Sequence, residues 1–224
     1  MQIVICCDFD GTITLIDAGK ALLSNLTDKD WHFYDNLVIE GTMGTREALV
    51  NQWGMIEKTS MEEINKIIDK IEIDPAFIKF YNWIRENKLK FVIISDGFKS
   101  FINRILRNHE IQIGEEDIKS NDMELVGGKI KLKFLTPECD HNCGNCKYSH
   151  VKKFKDKGDK IIYIGDGLSD IFPARELADL IFAKENEDLA KELENDSRLI
   201  VFKNFTNLLE KITLEFLLNN FQLP

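Results

Sequence analysis

Five apolar runs punctuate the chain: Ile3-Val4-Ile5-Cys6-Cys7, Phe91-Val92-Ile93-Ile94, Ile161-Ile162-Tyr163-Ile164, Leu180-Ile181-Phe182 and Leu199-Ile200-Val201-Phe202. They are continuous rather than alternating, the pattern of strands covered on both faces. Helical spacing fills the intervals, with Phe98, Phe101, Ile102 and Ile105 after the second run and Ala174, Leu177 and Ala178 after the third. Strands alternating with helices predict an α/β fold, a parallel sheet with helices on both faces.

Between the first two runs lies far more chain than one crossover helix requires. Ser60-Met61-Glu62-Glu63 is a capping box, and Met61, Ile64, Ile68 and Ile71 follow at helical spacing. Asp74-Pro75 opens another helix, with Phe77, Phe80, Tyr81 and Ile84 on one face. Weaker patterns cover 18–26, 31–39 and 46–55. Residues 15–88 therefore read as a small helical cap inserted into a core made of 1–14 and 89–224. A second, smaller insert at 121–134 alternates on either side of Gly127-Gly128, a hairpin signal.

Composition narrows the function classes. The chain has 224 residues, a formal net charge of −9 and 15 Phe, enough apolar material to exclude disorder as its main state. No apolar run approaches the roughly 18 residues of a spanning helix, and no basic stripe is present. Nucleic acid and anionic membranes are thus unexpected partners, and a small molecule is the expected one. The start shows no secretory pattern, so a cytoplasmic setting is expected; the chain is expected as a monomer or homodimer. The five Cys then belong to a reducing compartment, as thiols or metal ligands rather than a disulfide framework.

The candidate chemistry lies where strands end, the place open parallel sheets put their sites. The first run leads into Asp8-Phe9-Asp10-Gly11-Thr12, the second into Ser95-Asp96-Gly97, the third into Gly165-Asp166-Gly167-Leu168-Ser169-Asp170. Acids converging on one rim repel one another unless a cation joins them, and oxygen-only ligands at this density suit Mg²⁺. Gly11, Gly97 and Gly167 allow tight turns whose N–H groups can face an anion.

This arrangement resembles the haloacid dehalogenase superfamily of phosphatases: DxDGT at Asp8–Thr12, a Ser ending the next strand at Ser95, and GDxxxD at Gly165–Asp170. The resemblance implies a Mg²⁺-dependent phosphomonoesterase acting on a small phosphate ester. Asp8 would be the nucleophile that forms an aspartyl-phosphate, and Asp10 the acid and base, with its backbone carbonyl on the metal. Asp8 and Asp166 would hold Mg²⁺, with Asp10 and Asp170 completing the metal set or, for Asp170, supporting the metal's water shell or the catalytic Lys. Gly11, Thr12, Ser95, Asp96 and Gly97 would surround the phosphoryl group with a Lys. Lys147, Lys152 and Lys153 compete for that last role; Lys147 is preferred because it opens its helix pattern and follows a Cys cluster, as in one branch of the superfamily. That branch holds methionine-salvage keto-enol phosphate phosphatases and phosphoethanolamine/phosphocholine phosphatases. Ser95-Asp96 leans toward the second group, whereas 165–170 and 178–184 look like the first. Phosphoserine phosphatases use a cap Arg for the substrate carboxylate; in the similar stretch 40–55 the nearest alignment puts Val50 and Gln52 there and Arg46 is the only Arg, so a carboxylate substrate is less expected. Specificity is expected in the cap, and a catalytically silent binding module is the non-enzyme alternative.

Three features have plainer readings. Thr12 and Thr14 can serve the turn, Trp31, Tyr34 and Trp53 can be the cap's own core, and Ser95 can be a helix cap. Cys139, Cys143 and Cys146, with His141 and His150 nearby, number enough ligands for zinc but lack two clean CxxC pairs; free thiols are the expected resting state.

Overall fold

The computed structural model describes residues 2–217. The described residues form two compact units, one of residues 2–15, 73–94 and 147–217, the other of residues 16–72 and 95–146. The strands, in chain order, are β1 (Ile3–Cys7), β2 (Lys90–Phe98), β3 (Ile118–Val126), β4 (Lys129–Lys133), β5 (Lys160–Gly165), β6 (Leu180–Lys184) and β7 (Leu199–Phe202).

In the first unit the strands run parallel in the order β2-β1-β5-β6-β7. The five apolar runs of the sequence are these five strands, and β1 is buried along its whole length. Val4, Cys6, Val92, Ile161, Tyr163, Ile181 and Ala183 pack together with Val151, Ala174 and Leu189 from helices. Cys6 and Cys7 are fully buried in this strand, where burial pushes both thiols up and keeps them un-ionised. β1 lies between β2 and β5, so the sheet's order reverses there and its carboxyl end opens the crevice such sheets use for ligands.

The helix Phe77–Glu86 belongs to this unit and not to the expected 15–88 cap. Its predicted face is buried, but against Phe91 and Phe205: Phe77 and Phe80 lie 5.0 and 5.1 Å from the Phe205 ring. Asp74 fixes its start, accepting from the N–H of Ala76 and, with its other oxygen, from that of Phe205.

The second unit carries helices Ala18–Leu26, His32–Ile39, Thr45–Gly54, Met61–Ile68 and Lys99–Asn108, with β3 and β4 as an antiparallel pair turning at Gly127-Gly128. The capping box at Ser60 forms as predicted, with Glu63 and Ser60 exchanging side-chain-to-backbone bonds. Trp31 and Trp53 are core residues, Trp53 against Phe98 and Phe101. No helix among the described residues is long and apolar enough to cross a membrane.

Candidate active site

The chain leaves β1 into a tight turn, with the N–H groups of Ile13 and Thr14 both donating to the Phe9 carbonyl. Asp8, the first residue past the strand, is 7% exposed; its N–H still bonds the Ile164 carbonyl of β5 and its Oδ1 accepts from the N–H of Phe9 at 2.7 Å. The turn needs Gly11. Its φ is +78°, and a Cβ there would sit 2.6 Å from Asp166 Oδ2. Asp10 lies half-buried in the same turn.

β5 ends at Gly165, and Asp166 stands at the same rim. One carboxylate oxygen from each of Asp8, Asp166 and Asp170 lies within 4.8 Å of the others. Asp170 is the third residue of helix Leu168–Leu177 and is fully buried. Its Oδ2 accepts from the N–H groups of Asp166 and Gly167 at 3.0 and 3.1 Å. Its Oδ1 accepts from the Tyr163 hydroxyl and from Lys147 Nζ, both at 2.7 Å. Four donors therefore occupy its two oxygens, so its main coordination is to protein.

Of the three candidate lysines, only Lys147 reaches this rim. It opens helix Lys147–Lys155, is 3% exposed, and bridges Asp8 Oδ2 at 2.8 Å and Asp170 Oδ1 at 2.7 Å. Lys152 pairs with Asp156 on the surface, and Lys153 is exposed.

Three carboxylates against one ammonium leave negative charge in excess, and the acids respond. Burial first, and then the Asp170 charge, hold the Asp8 carboxyl well above the usual range despite Lys147. The same two causes raise Asp166 to about 7, opposed by a hydrogen bond from the Thr12 hydroxyl and by Lys147 and Lys184. A divalent cation fits this donor set: Asp8 and Asp166 offer hard oxygen ligands, and the surplus charge it would neutralise is already there.

Thr12, expected against the substrate, spends its hydroxyl on Asp166, and Thr14 Oγ1 accepts from the Gly11 N–H. Ser95 lies in β2, two positions beyond Ile93, the residue paired with Cys7. It is 1% exposed, and its Oγ accepts from the Gly97 N–H at 2.9 Å. The helix after it is capped at Phe98, so Ser95 is no helix cap.

Asn145 ties the end of β2 to its neighbours and is not singled out by sequence reasoning. Buried, it donates its side-chain amide to the Ser95 and Lys119 carbonyls, while its N–H donates to Asp96 Oδ1 at 2.6 Å. Asn121 does similar work, donating to the Asp96 carbonyl and accepting from the Leu135 N–H. Tyr163, read only as a strand residue, holds Asp170, and Lys184 donates to the Gly11 carbonyl. The one signal available was a phenol inside an otherwise aliphatic strand. Arg46 is committed elsewhere: its guanidinium donates to the carbonyls of Thr136, Pro137 and Cys143 and lies over the Phe134 ring.

Comparison with known proteins supplies the chain's relatives. The chain is 29% identical over 216 residues to a 2-hydroxy-3-keto-5-methylthiopentenyl-1-phosphate phosphatase of Bacillus mycoides, covering 95% of this chain and 96% of that protein. It is 28% identical to the enzyme of the same name from Bacillus velezensis, over 81% of this chain and 78% of that one. Among solved structures, a haloacid dehalogenase family hydrolase of Salmonella enterica serovar Typhi superposes with a TM-score of 0.73 at 19% identity, covering 92% of this chain and 69% of that one. A phosphoserine phosphatase captured as a phospho-aspartyl intermediate analogue gives 0.74 at 16% identity, over 95% and 98%. The sequence profile of the family described as Putative Phosphatase matches residues 3–204. The chain belongs to that family, and is a phosphoric monoester hydrolase on the haloacid dehalogenase fold.

Proposed function

We propose that the protein is a Mg²⁺-dependent phosphomonoesterase that works through an aspartyl-phosphate on Asp8, with a methionine-salvage keto-enol phosphate as substrate. The observation that carries the reading is the buried Lys147 ammonium shared by Asp8 and Asp170. It supports a nucleophilic role for Asp8: a carboxylate held by one lysine and one N–H keeps a fixed direction, and Lys147 can offset the charge of an incoming phosphoryl group.

Bound at Asp8 and Asp166, with the Asp10 carbonyl, Mg²⁺ would neutralise phosphoryl charge. In the first half-reaction Asp8 attacks phosphorus while the Asp10 carboxyl protonates the leaving oxygen. In the second the Asp10 carboxylate takes a proton from the attacking water, and the acyl phosphate is hydrolysed. The Ser95 hydroxyl is assigned to a phosphoryl oxygen; the N–H groups of Gly11, Gly97 and Gly167, expected from the sequence to face an anion, are instead bonded to Thr14, Ser95 and Asp170. Asp170 touches no reacting atom in this scheme; it is a positioning residue for Lys147. A cytoplasmic setting suits such a metabolite phosphatase.

The substrate assignment rests on the names of the Bacillus relatives and on Arg46. With its guanidinium spent on three carbonyls, Arg46 is poorly placed to receive a substrate carboxylate. The test is kcat/KM for the keto-enol phosphate, phosphocholine and phosphoserine, with and without Mg²⁺. The keto-enol phosphate should lead and every rate should collapse without the metal. Phosphocholine in front would move the enzyme to the neighbouring branch; a phosphoserine value tenfold above both others would overturn the reading of Arg46.

A further inference from the structure

The sequence favours free thiols at Cys139, Cys143 and Cys146, because their spacing lacks paired CxxC knuckles. In the structure the three sulfurs converge, all within 4.8 Å of one another. Thiolates on one tetrahedral zinc, at a Zn–S distance of ~2.3 Å, stand about 3.8 Å apart. Small side-chain rotations close that difference. We propose that Cys139, Cys143 and Cys146 form a zinc site that locks the loop running into Lys147.

The loop is organised for this before any ion arrives. Cys139 opens a turn closed by the Asn142 N–H on its carbonyl at 2.8 Å, with Asn142 at φ +49°. The next N–H, that of Cys143, points at Cys139 Sγ at 3.4 Å, the kind of backbone donor that supports a metal-bound thiolate. The surroundings then pin this turn from outside. Arg46 holds the carbonyls of Thr136, Pro137 and Cys143, and its N–H donates to the Asn142 carbonyl. Thr136 Oγ1 accepts from the Cys146 N–H, and Thr45 Oγ1 from that of Gly144. Chain packing is close enough that a Cβ on Gly44 would overlap Asn142. Ligands held this way need little ordering on binding.

Chemistry separates this site from the carboxylate rim. Three soft sulfur donors select zinc over magnesium, while the oxygen donors of Asp8 and Asp166 have the opposite preference. On binding, each thiol releases its proton to water and the ion takes three thiolates. Cys146 is bonded directly to Lys147. Locking the loop therefore restrains the backbone at the point where the lysine's helix begins, which makes the site structural rather than catalytic.

The test uses the whole chain, purified without chelator and kept reduced, with zinc measured by elemental analysis. About one zinc per chain is expected. It should fall at least tenfold in Cys143→Ser and persist in Asp166→Asn, which alters the oxygen site alone. Zinc that leaves with Asp166→Asn and stays with Cys143→Ser would overturn the proposal. Because a Cys variant could fail by misfolding, Co²⁺ is titrated into chelator-stripped wild-type protein. Thiolate-to-cobalt charge-transfer absorption, bleached by added zinc, is expected, and protease cleavage within 134–146 should rise at least tenfold in the stripped protein. No charge-transfer band, or a disulfide within the cluster that reforms after reduction in the presence of zinc, would refute the site.

Discussion

Replacing Asp166 by Asn should stabilise the metal-free protein while disabling the enzyme, and the size of the gain can be worked from the charge at the rim. Asp166 sits beside Asp170 with its carboxyl raised from 3.8 to about 7. Between those values the folded chain keeps a proton that the unfolded chain has released. The contribution of this group is therefore fully present below about pH 4 and is lost as pH rises toward 7. A window of roughly three pH units, at about 1.36 kcal/mol for each, sets an upper bound of about 4 kcal/mol. Asp8, itself held above the usual range, feels the same field, and relief at one position is partly shared with the other. A gain of about 2 kcal/mol for the single substitution is the expected value at pH 8. The Thr12 hydroxyl keeps an acceptor, because Asn retains Oδ1. The assay is urea unfolding in chelator at pH 8 and pH 5, where the gain should shrink to less than half. Added Mg²⁺ should raise the wild-type midpoint at pH 8 and leave the variant's nearly unchanged. A variant no more stable than wild type at pH 8, or equally favoured at both pH values, would refute this electrostatic account.

Two further perturbations probe the same rim. Asp8→Asn should keep a native far-ultraviolet spectrum yet lose phosphate release by several orders of magnitude, since the covalent route disappears; retention of a tenth of the wild-type rate in a single-turnover assay would exclude Asp8 as nucleophile. Gly165→Ala places a Cβ 2.5 Å from Asp170 Oδ2, and neither the strand nor the buried carboxylate can yield freely. It should lower kcat at least tenfold with little change in KM, and an unaltered kcat would show that Asp170 need not be held where it is.

Local pattern revealed some features and not others, for physical reasons. β1, β5 and β6 were legible because a strand covered on both faces must be apolar throughout, and the acids were legible because polar residues abutting such strands are conspicuous. The helix Phe77–Glu86 shows the limit. Its periodicity says that Phe77 and Phe80 are buried, but periodicity carries no address, and the address proved to be Phe91 and Phe205. Its spacing from Phe101 places Phe98 in a helix pattern, yet it ends β2 and stands at the N-cap position of the helix that begins at Lys99. Met61, at the first turn of its helix, is 41% exposed despite sitting in phase with Ile64 and Ile68. Asn121, Asn145 and Tyr163 act through partners distant in sequence, and an amide or phenol aimed at such a partner leaves no trace in its neighbours.

The three acids of the rim look equivalent in sequence and are not equivalent in space. A carboxylate has about four acceptor positions, and Asp170 gives all of its main ones to protein donors: two N–H groups at a helix N-terminus, one phenol and one ammonium. That saturation is what allows it to be fully buried, and it leaves Asp8 and Asp166 as the acids with oxygens to offer a metal. It also explains where the lysine must come from. Lys152 and Lys155, further along the same helix, are drawn to Asp156 and Asp179, whereas Lys147 stands at the helix opening, the end that meets the carboxylates. An ammonium there is disfavoured by the helix dipole and by burial, so it is held only because Asp8 and Asp170 both offset that cost. In the proposed scheme a phosphorylated Asp8 would cease to be a simple carboxylate partner, and the Asp170 contact would still aim Lys147. The saturated acid would thus keep the lysine in place while the proposed nucleophile changes its bonding.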